Sequence, residues 1–259
     1  VPRVPGHGHQ FGGAVVGHGK AEEVILGLLH AHGYTVGEEF HFRLVGVLRA
    51  AQRMQSHHVD FNILTVVTSQ LAQNITKVYN FYKRNNWLYQ QYIPCMDPME
   101  EQRGGNGYSL TPQAYADFLK KLFDLWYQDF TQGFIVSIRY FDNLLRIMNG
   151  IPPESCAMTG HCNVQYLVEA DGSVFPCDFY AIDKYCLGNL KTDSIEQLDD
   201  KRHSLRFVES SKELTGKCAN CTWYGLCRGG CRRDYTQEED SHNYYCESYK
   251  AFFEYAYPR

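Results

Sequence analysis

Nine of the ten cysteines lie between residues 156 and 246, and apart from Cys186 they run Cys156-x5-Cys162-x14-Cys177 and then Cys218-x2-Cys221-x5-Cys227-x3-Cys231-x14-Cys246. Thiolates are soft ligands, and a C-x2-C pair lets two of them converge on one metal, so eight read as two sets of four. Five disulfides in a secreted protein would also suit an even count. A run of four cysteines as dense as Cys218, Cys221, Cys227 and Cys231 argues against that, because each would need its own distant partner. Zinc held by four cysteines and iron-sulfur clusters both remain open on ligand type. The run is denser than the usual two-knuckle zinc spacing, and Gly225, Gly229 and Gly230 leave backbone room for a cuboidal cluster.

Such ligands need a frame. Residues 165–177 have two β-rich arms around Asp171-Gly172, a hairpin signal. Direct pairing about that turn places Cys177 opposite Tyr166, so the chain before residue 164 must bend for Cys162 and Cys177 to share a cluster. Upstream, the apolar, β-branched run 59–67 predicts a strand buried on both faces of a parallel sheet. Thr68 and Ser69 are caps for a helix carrying Leu71, Ile75, Val78 and Tyr82, which Asn85-Asn86 closes. A second strand over 88–94 completes a βαβ unit with a right-handed crossover. After a glycine-rich loop, Thr111 and Pro112 start a helix whose stripe is Phe118, Leu122, Leu125, Trp126 and Phe130. Another helix is predicted over 140–148, and a domain boundary at Gly150-Ile151-Pro152-Pro153.

The first 55 residues show little periodicity apart from an amphipathic stretch over 21–32. His7, His9, His18, His30, His32, His41, His57 and His58 lack a consistent ligand spacing and read as solvated or locally packed. With 25 basic and 29 acidic residues the net charge is -4, which excludes a field that gathers nucleic acid or anionic membrane. No apolar run approaches the ~18 residues that span a bilayer. The opening residues have no export pattern, so a cytoplasmic location is expected.

The segments CDFYAIDKYCLGNL, CANCTWYGLCRGGCRRD and YYCESYKAFFEYAYPR closely resemble the C-terminal SPASM region of anaerobic sulfatase-maturating enzymes, a radical S-adenosylmethionine family. The likeness extends upstream through HVDFNILTVVT, YIPCMDPMEE, YSLTPQAYADFLKKLFDLWY and VSIRYFDNLL, covering roughly residues 57–259. It implies an α/β chain: the C-terminal part of a partial (β/α)6 barrel over 1–150, poorly matched over 1–55, then a SPASM domain over 151–259 with a β-hairpin and helices. It also implies two auxiliary [4Fe-4S] clusters, one held by Cys156, Cys162, Cys177 and Cys231, the other by Cys218, Cys221, Cys227 and Cys246. Interleaved sets of this kind are ordinary in two-cluster ferredoxins. Cys95 and Cys186 then fall outside both sets and read as buried, unreactive thiols.

Enzymes of the family oxidise a cysteine or serine on an unfolded sulfatase segment to Cα-formylglycine. A radical made from S-adenosylmethionine removes hydrogen from the target carbon, a base takes the thiol or hydroxyl proton, and an auxiliary cluster is the natural electron acceptor. Asp178 matches the family's base, and an adjacent anionic cluster with partial burial would raise its pKa towards the working pH. Ile93 and Met96, at the end of the second strand, match positions beside the adenosine. Arg228, Arg232, Arg233 and Lys217 lie near the ligands and offset cluster charge or simply meet solvent. An electron donor such as flavodoxin or ferredoxin is the implied second partner. The family's C-x3-C-x2-C loop, which holds the cofactor-cleaving cluster, has no counterpart, since no cysteine precedes Cys95. Ala14 and Val15 stand where the family has Glu and Pro. The expectation is that this sequence as given does not cleave the cofactor. Two alternatives are a SPASM enzyme that modifies another peptide and a non-catalytic electron-transfer or peptide-binding module.

Overall fold

The computed structural model of the protein describes residues 38–99, 101–214, 216–236 and 241–259. The chain divides into two units, 1–61 and 62–259. In the first, helix α1 (Glu38–Ser56) buries Leu48 and Ala51, three residues apart on one face. The sequence reading did not anticipate it. Gly46 interrupts its apolar pattern, and the helix formers around it carry more of the signal. The readings on residues 1–37, including His7, His9, His18, His30, His32, Ala14, Val15 and the 21–32 stretch, lie outside the described residues, as does the side chain of His41.

The second unit opens with the expected βαβ unit. Strands β1 (Ile63–Val67), β2 (Tyr89–Pro94) and β3 (Ser137–Ile138) form a parallel sheet in that order, with Ile63 opposite Gln90 and Tyr89 opposite Ser137. The crossover from β1 to β2 is two helices, α2 (Ser69–Gln73) and α3 (Ile75–Arg84), broken at Asn74. Thr68 caps the first as predicted, its side chain accepting from the Leu71 N–H. Helix α4 (Pro112–Thr131) begins on Thr111, which accepts from the Ala114 N–H, and α5 (Arg139–Met148) follows β3.

The strand β1 corrects one expectation. Thr65 and Val67 are buried but Leu64 and Val66 are 59% and 52% exposed, so successive side chains alternate between core and surface. On α4, Phe118, Leu122 and Trp126 are buried, whereas Phe130 is exposed and stacks on Trp126 with ring centroids 5.4 Å apart. Among the described residues no helix is long and apolar enough to cross a membrane.

The cysteine-rich part carries a small antiparallel sheet, β4 (Leu167–Val168), β5 (Ser173–Phe175) and β6 (Gly188–Asn189). The predicted hairpin is present, one residue out of the expected register. Leu167 faces Phe175 and Val168 faces Val174, because the turn is a three-residue loop ending on Gly172 at φ +95°. Continued pairing would face Cys177 with Gln165, not Tyr166. Short helices follow: α6 (Ile195–Ser204), α7 (Phe207–Ser210), α8 (Gly216–Ala219) and α9 (Tyr224–Cys227). The last helix, α10 (Cys246–Ala256), packs Phe252 and Phe253 into the core formed with α4, and Tyr255 donates to Asp124 at 2.8 Å. That contact ties the cysteine-rich part to the sheet.

Candidate metal centre

The cysteines are placed by tight turns. Cys156 opens a 3-10 turn, and Cys177 follows β5 in extended backbone. The Cys162 N–H donates to Ser211 Oγ at 2.8 Å, and that hydroxyl donates onward to the Val208 carbonyl. Cys231 precedes the 3-10 turn Arg232–Asp234, whose Arg232 donates to the Ser210 carbonyl at 2.5 Å. Cys162 and Cys231 are thus both tied to the end of α7. Cys218 lies in α8, Cys227 closes α9 and Cys246 opens α10.

These positions surround two cavities. One, of about 550 Å³, is lined by Cys156, Cys162, Cys177 and Cys231. A smaller one is lined by Cys218, Cys221, Cys227 and Cys246. Cys227 and Tyr249 line both, so they form the shared wall. Burial pushes the Cys177 and Cys227 thiols up to about 12 and Cys231 higher still. Their electrostatic neighbours divide the same way: Cys231 is further raised by Asp234, Cys156 and Cys162, and Cys227 by Cys246, Cys218 and Cys221. Metal-free, such thiols hold their protons, and a metal must displace them to bind.

A tetrahedral zinc at about 2.3 Å from each sulfur would hold four thiolates about 3.8 Å apart. Among the described residues no three His, Cys, Asp or Glu side chains are grouped as one such ion requires. The thiols instead ring cavities, which suits a cluster that bridges separated sulfurs.

Two glycines of the cysteine run carry a backbone constraint the sequence reading did not include. Gly229 and Gly230 sit at φ +87° and +71°, and a Cβ on either would meet Tyr235 Oη or Asn243 Nδ2 at 2.5 Å. They are needed for left-handed backbone against those side chains, and Gly230 also lines the larger cavity and Gly229 the smaller. Asn243 itself is a residue the sequence reading missed. It is buried, donates to the Gly229 carbonyl at 3.1 Å, and accepts from the Tyr245 N–H at 2.8 Å, just before Cys246. A lone Asn in a polar stretch carries no sequence signal of that role.

Asp178, Ile93 and Met96 all line the larger cavity with Cys156, Cys162, Cys177 and Cys231. Asp178 Oδ1 accepts from Cys177 Sγ at 3.2 Å and from the Phe179 N–H at 3.1 Å. Asp178 is exposed rather than partly buried, at the start of the 3-10 turn Asp178–Tyr180 on the cavity rim. Cys95 is buried, as expected, with its thiol at 3.5 Å from the Tyr108 carbonyl. Cys186 is only half-buried, since it sits on the connection between a 3-10 turn and β6, and that expectation is corrected. Also missed was the ion pair of Arg139 with Glu154, at 3.2 Å on the same cavity wall.

The SPASM family, an iron-sulfur cluster-binding domain, matches residues 156–222. That span includes Cys156, Cys162, Cys177, Cys218 and Cys221 and stops before Cys227, Cys231 and Cys246. A cysteine-type anaerobic sulfatase-maturating enzyme of Clostridium perfringens (strain 13 / Type A) is 48% identical over 216 residues, 82% of this chain and 58% of that protein. A serine-type enzyme of Bacteroides thetaiotaomicron is 24% identical over 234 residues, 83% and 56% respectively. The solved structure of native anSMEcpe with bound AdoMet and Kp18Cys peptide superimposes with a TM-score of 0.77 at 47% identity, covering 83% of this chain and 60% of that one. The chain spans a little over half the length of the curated relatives it matches.

Proposed function

We propose that this chain, which belongs to the anaerobic sulfatase-maturating enzyme family, contributes the auxiliary-cluster and peptide-oxidising part of such an enzyme. The observation that carries the reading is a single cavity lined by Cys156, Cys162, Cys177, Cys231, Asp178, Ile93 and Met96. Cys156, Cys162, Cys177 and Cys231 hold one [4Fe-4S] cluster, and Cys218, Cys221, Cys227 and Cys246 the other. When bound, the cofactors supply hydrogen abstraction and electron acceptance.

The chain's own residues do the rest. Ile93 and Met96 form the apolar wall beside the adenosine of S-adenosylmethionine. The exposed Asp178 carboxylate takes the proton from the substrate thiol, and the backbone N–H of Phe179 holds the same oxygen in place. The greater identity to the cysteine-type relative supports a cysteine on an unfolded sulfatase segment as the target, oxidised to Cα-formylglycine. The three parallel strands fit the last strands of a partial (β/α)6 barrel, with the SPASM domain over 151–259. A flavodoxin- or ferredoxin-type donor and a cytoplasmic setting complete the reading.

Anaerobic reconstitution with iron and sulfide tests it. About eight irons per chain are expected, with a broad charge-transfer band. A chain that also carries a C-x3-C-x2-C loop should convert a cysteine-containing sulfatase peptide to formylglycine, detected by mass. Stoichiometric zinc without acid-labile sulfide, in protein purified without oxygen, would overturn it.

A further inference from the structure

Two segments far apart in sequence exchange arginines beside the larger cavity. Arg103, in the loop after β2, places Nη1 3.3 Å from Asp234 Oδ1 and donates through Nη2 to the Arg233 carbonyl at 2.5 Å. Arg233 returns the contact, donating to the Asp97 carbonyl at 2.8 Å. Asp97 is buried and accepts from the Gly104 N–H at 2.9 Å and from Ser109 Oγ, which fixes the loop that presents Arg103. The Arg103 guanidinium also lies 5.2 Å from the Tyr244 ring centre.

Asp234 is the consequential member. It is 6% exposed, lies three residues after Cys231, and lines the cavity with Cys156, Cys162 and Cys231. Its charge is an electrostatic neighbour of the Cys231 thiol. Of the basic residues flagged from sequence, Arg232 donates to the Ser210 carbonyl and is an electrostatic neighbour of Cys162, and Arg233 donates to the Asp97 carbonyl and is an electrostatic neighbour of Asp234. Arg103, which no cysteine spacing marks, is the cation paired with this carboxylate.

We propose that Arg103, from the loop after β2, offsets the buried Asp234 charge beside the first thiol set, so that this carboxylate does not lower the reduction potential of the cluster held there. The proposal rests on the cluster assignment above. Reduction adds one negative charge to a cluster; a nearby cation favours the reduced form and a nearby anion the oxidised one, most strongly where water is excluded. Paired, the two charges largely cancel at the cluster. Arg103 is thus a positioning and tuning residue that touches no reacting atom.

The test uses the full chain, reconstituted anaerobically, with iron analysis and an EPR-monitored redox titration. Arg103→Gln should shift the first cluster's midpoint to lower potential. Asp234→Asn, which keeps the side chain's shape, should shift it higher. The double variant should return close to the unsubstituted value, and the second cluster's midpoint should stay put in all three. Shifts of the same sign, or no shift with iron content intact, would overturn the proposal. Iron loss in Asp234→Asn as well as Arg103→Gln would overturn it too, by making the pair merely structural. Failure of the unsubstituted chain to take up iron and sulfide sinks the cluster reading itself, and this proposal with it.

Discussion

Helix α4 runs 20 residues and buries eight side chains, whereas α8 and α9, which carry Cys218 and Cys227, are four residues long and bury none. Isolated helices below about 12 residues are marginal in water, so α8 and α9 cannot persist on propensity. The sheet side of the protein is held by Phe118, Leu122, Trp126, Phe252 and their neighbours. Around the hairpin the cysteine side has a small separate core of Val174, Leu187 and Leu198, and Met158 and α10 join it to the larger one. The contrast teaches that one part of the molecule is specified by apolar packing and the other is completed by its ligands.

The largest expected effect tests the cysteine side directly. Cys231→Ser should remove about four of about eight irons and abolish formylglycine formation in a chain carrying the three-cysteine loop. It should also speed proteolysis within residues 156–231 while α4 stays protected. Retention of all eight irons would show that Cys231 is not a ligand. Next comes the sheet side: Phe118→Ala should lower unfolding free energy by about 3–5 kcal/mol, read from urea titrations, and leave iron per folded chain unchanged. If iron falls in proportion, the two parts are not separable.

Asp178→Asn should then lower formylglycine yield by about 10²-fold, roughly 2.7 kcal/mol, with iron content and 5′-deoxyadenosine formation intact. A yield near the unsubstituted level would return Asp178 to a turn-capping role. The smallest effect is on pH. Cys177 and Cys227 rise from the ordinary 9.0 to about 12 in the fold, so their protonated forms are favoured there. Stability they give the metal-free chain is present below pH 9 and is lost as pH rises through 12. Thermal melts of the metal-free protein should fall across that window, and the Cys177→Ala, Cys227→Ala double variant should show a flatter decline.

Much of the sheet side was legible because its signals are local. Thr111-Pro112 fixes the start of α4 and the spacing of Phe118, Leu122 and Trp126 fixes its face. The exposure of Leu64 and Val66 was not legible, since an apolar β-branched run does not say which faces are covered. On the cysteine side the candidate ligands stand out by residue type, and they line two cavities with Cys227 in the wall of both. What surrounds them does not stand out. Asn243, Tyr249 and the Arg103–Asp234 pair act through tertiary contacts that no spacing rule encodes. The hairpin register slipped for a related reason: Asp171-Gly172 signals a turn but does not choose between a two-residue and a three-residue loop.

The shared wall formed by Cys227 and Tyr249 bears on how the protein is made. On the proposed ligand sets, Cys227 and Cys231 serve different clusters though only four positions apart, and Cys246 supplies the last ligand from the first residue of α10. Tyr249 sits one turn into the same helix, against Tyr115 and Tyr140. Neither cavity has its wall until that helix docks on α4. On those sets, filling of either site waits on the docking of α10, and a chain cut before residue 246 lacks one ligand and the Tyr249 side of the partition between the two cavities.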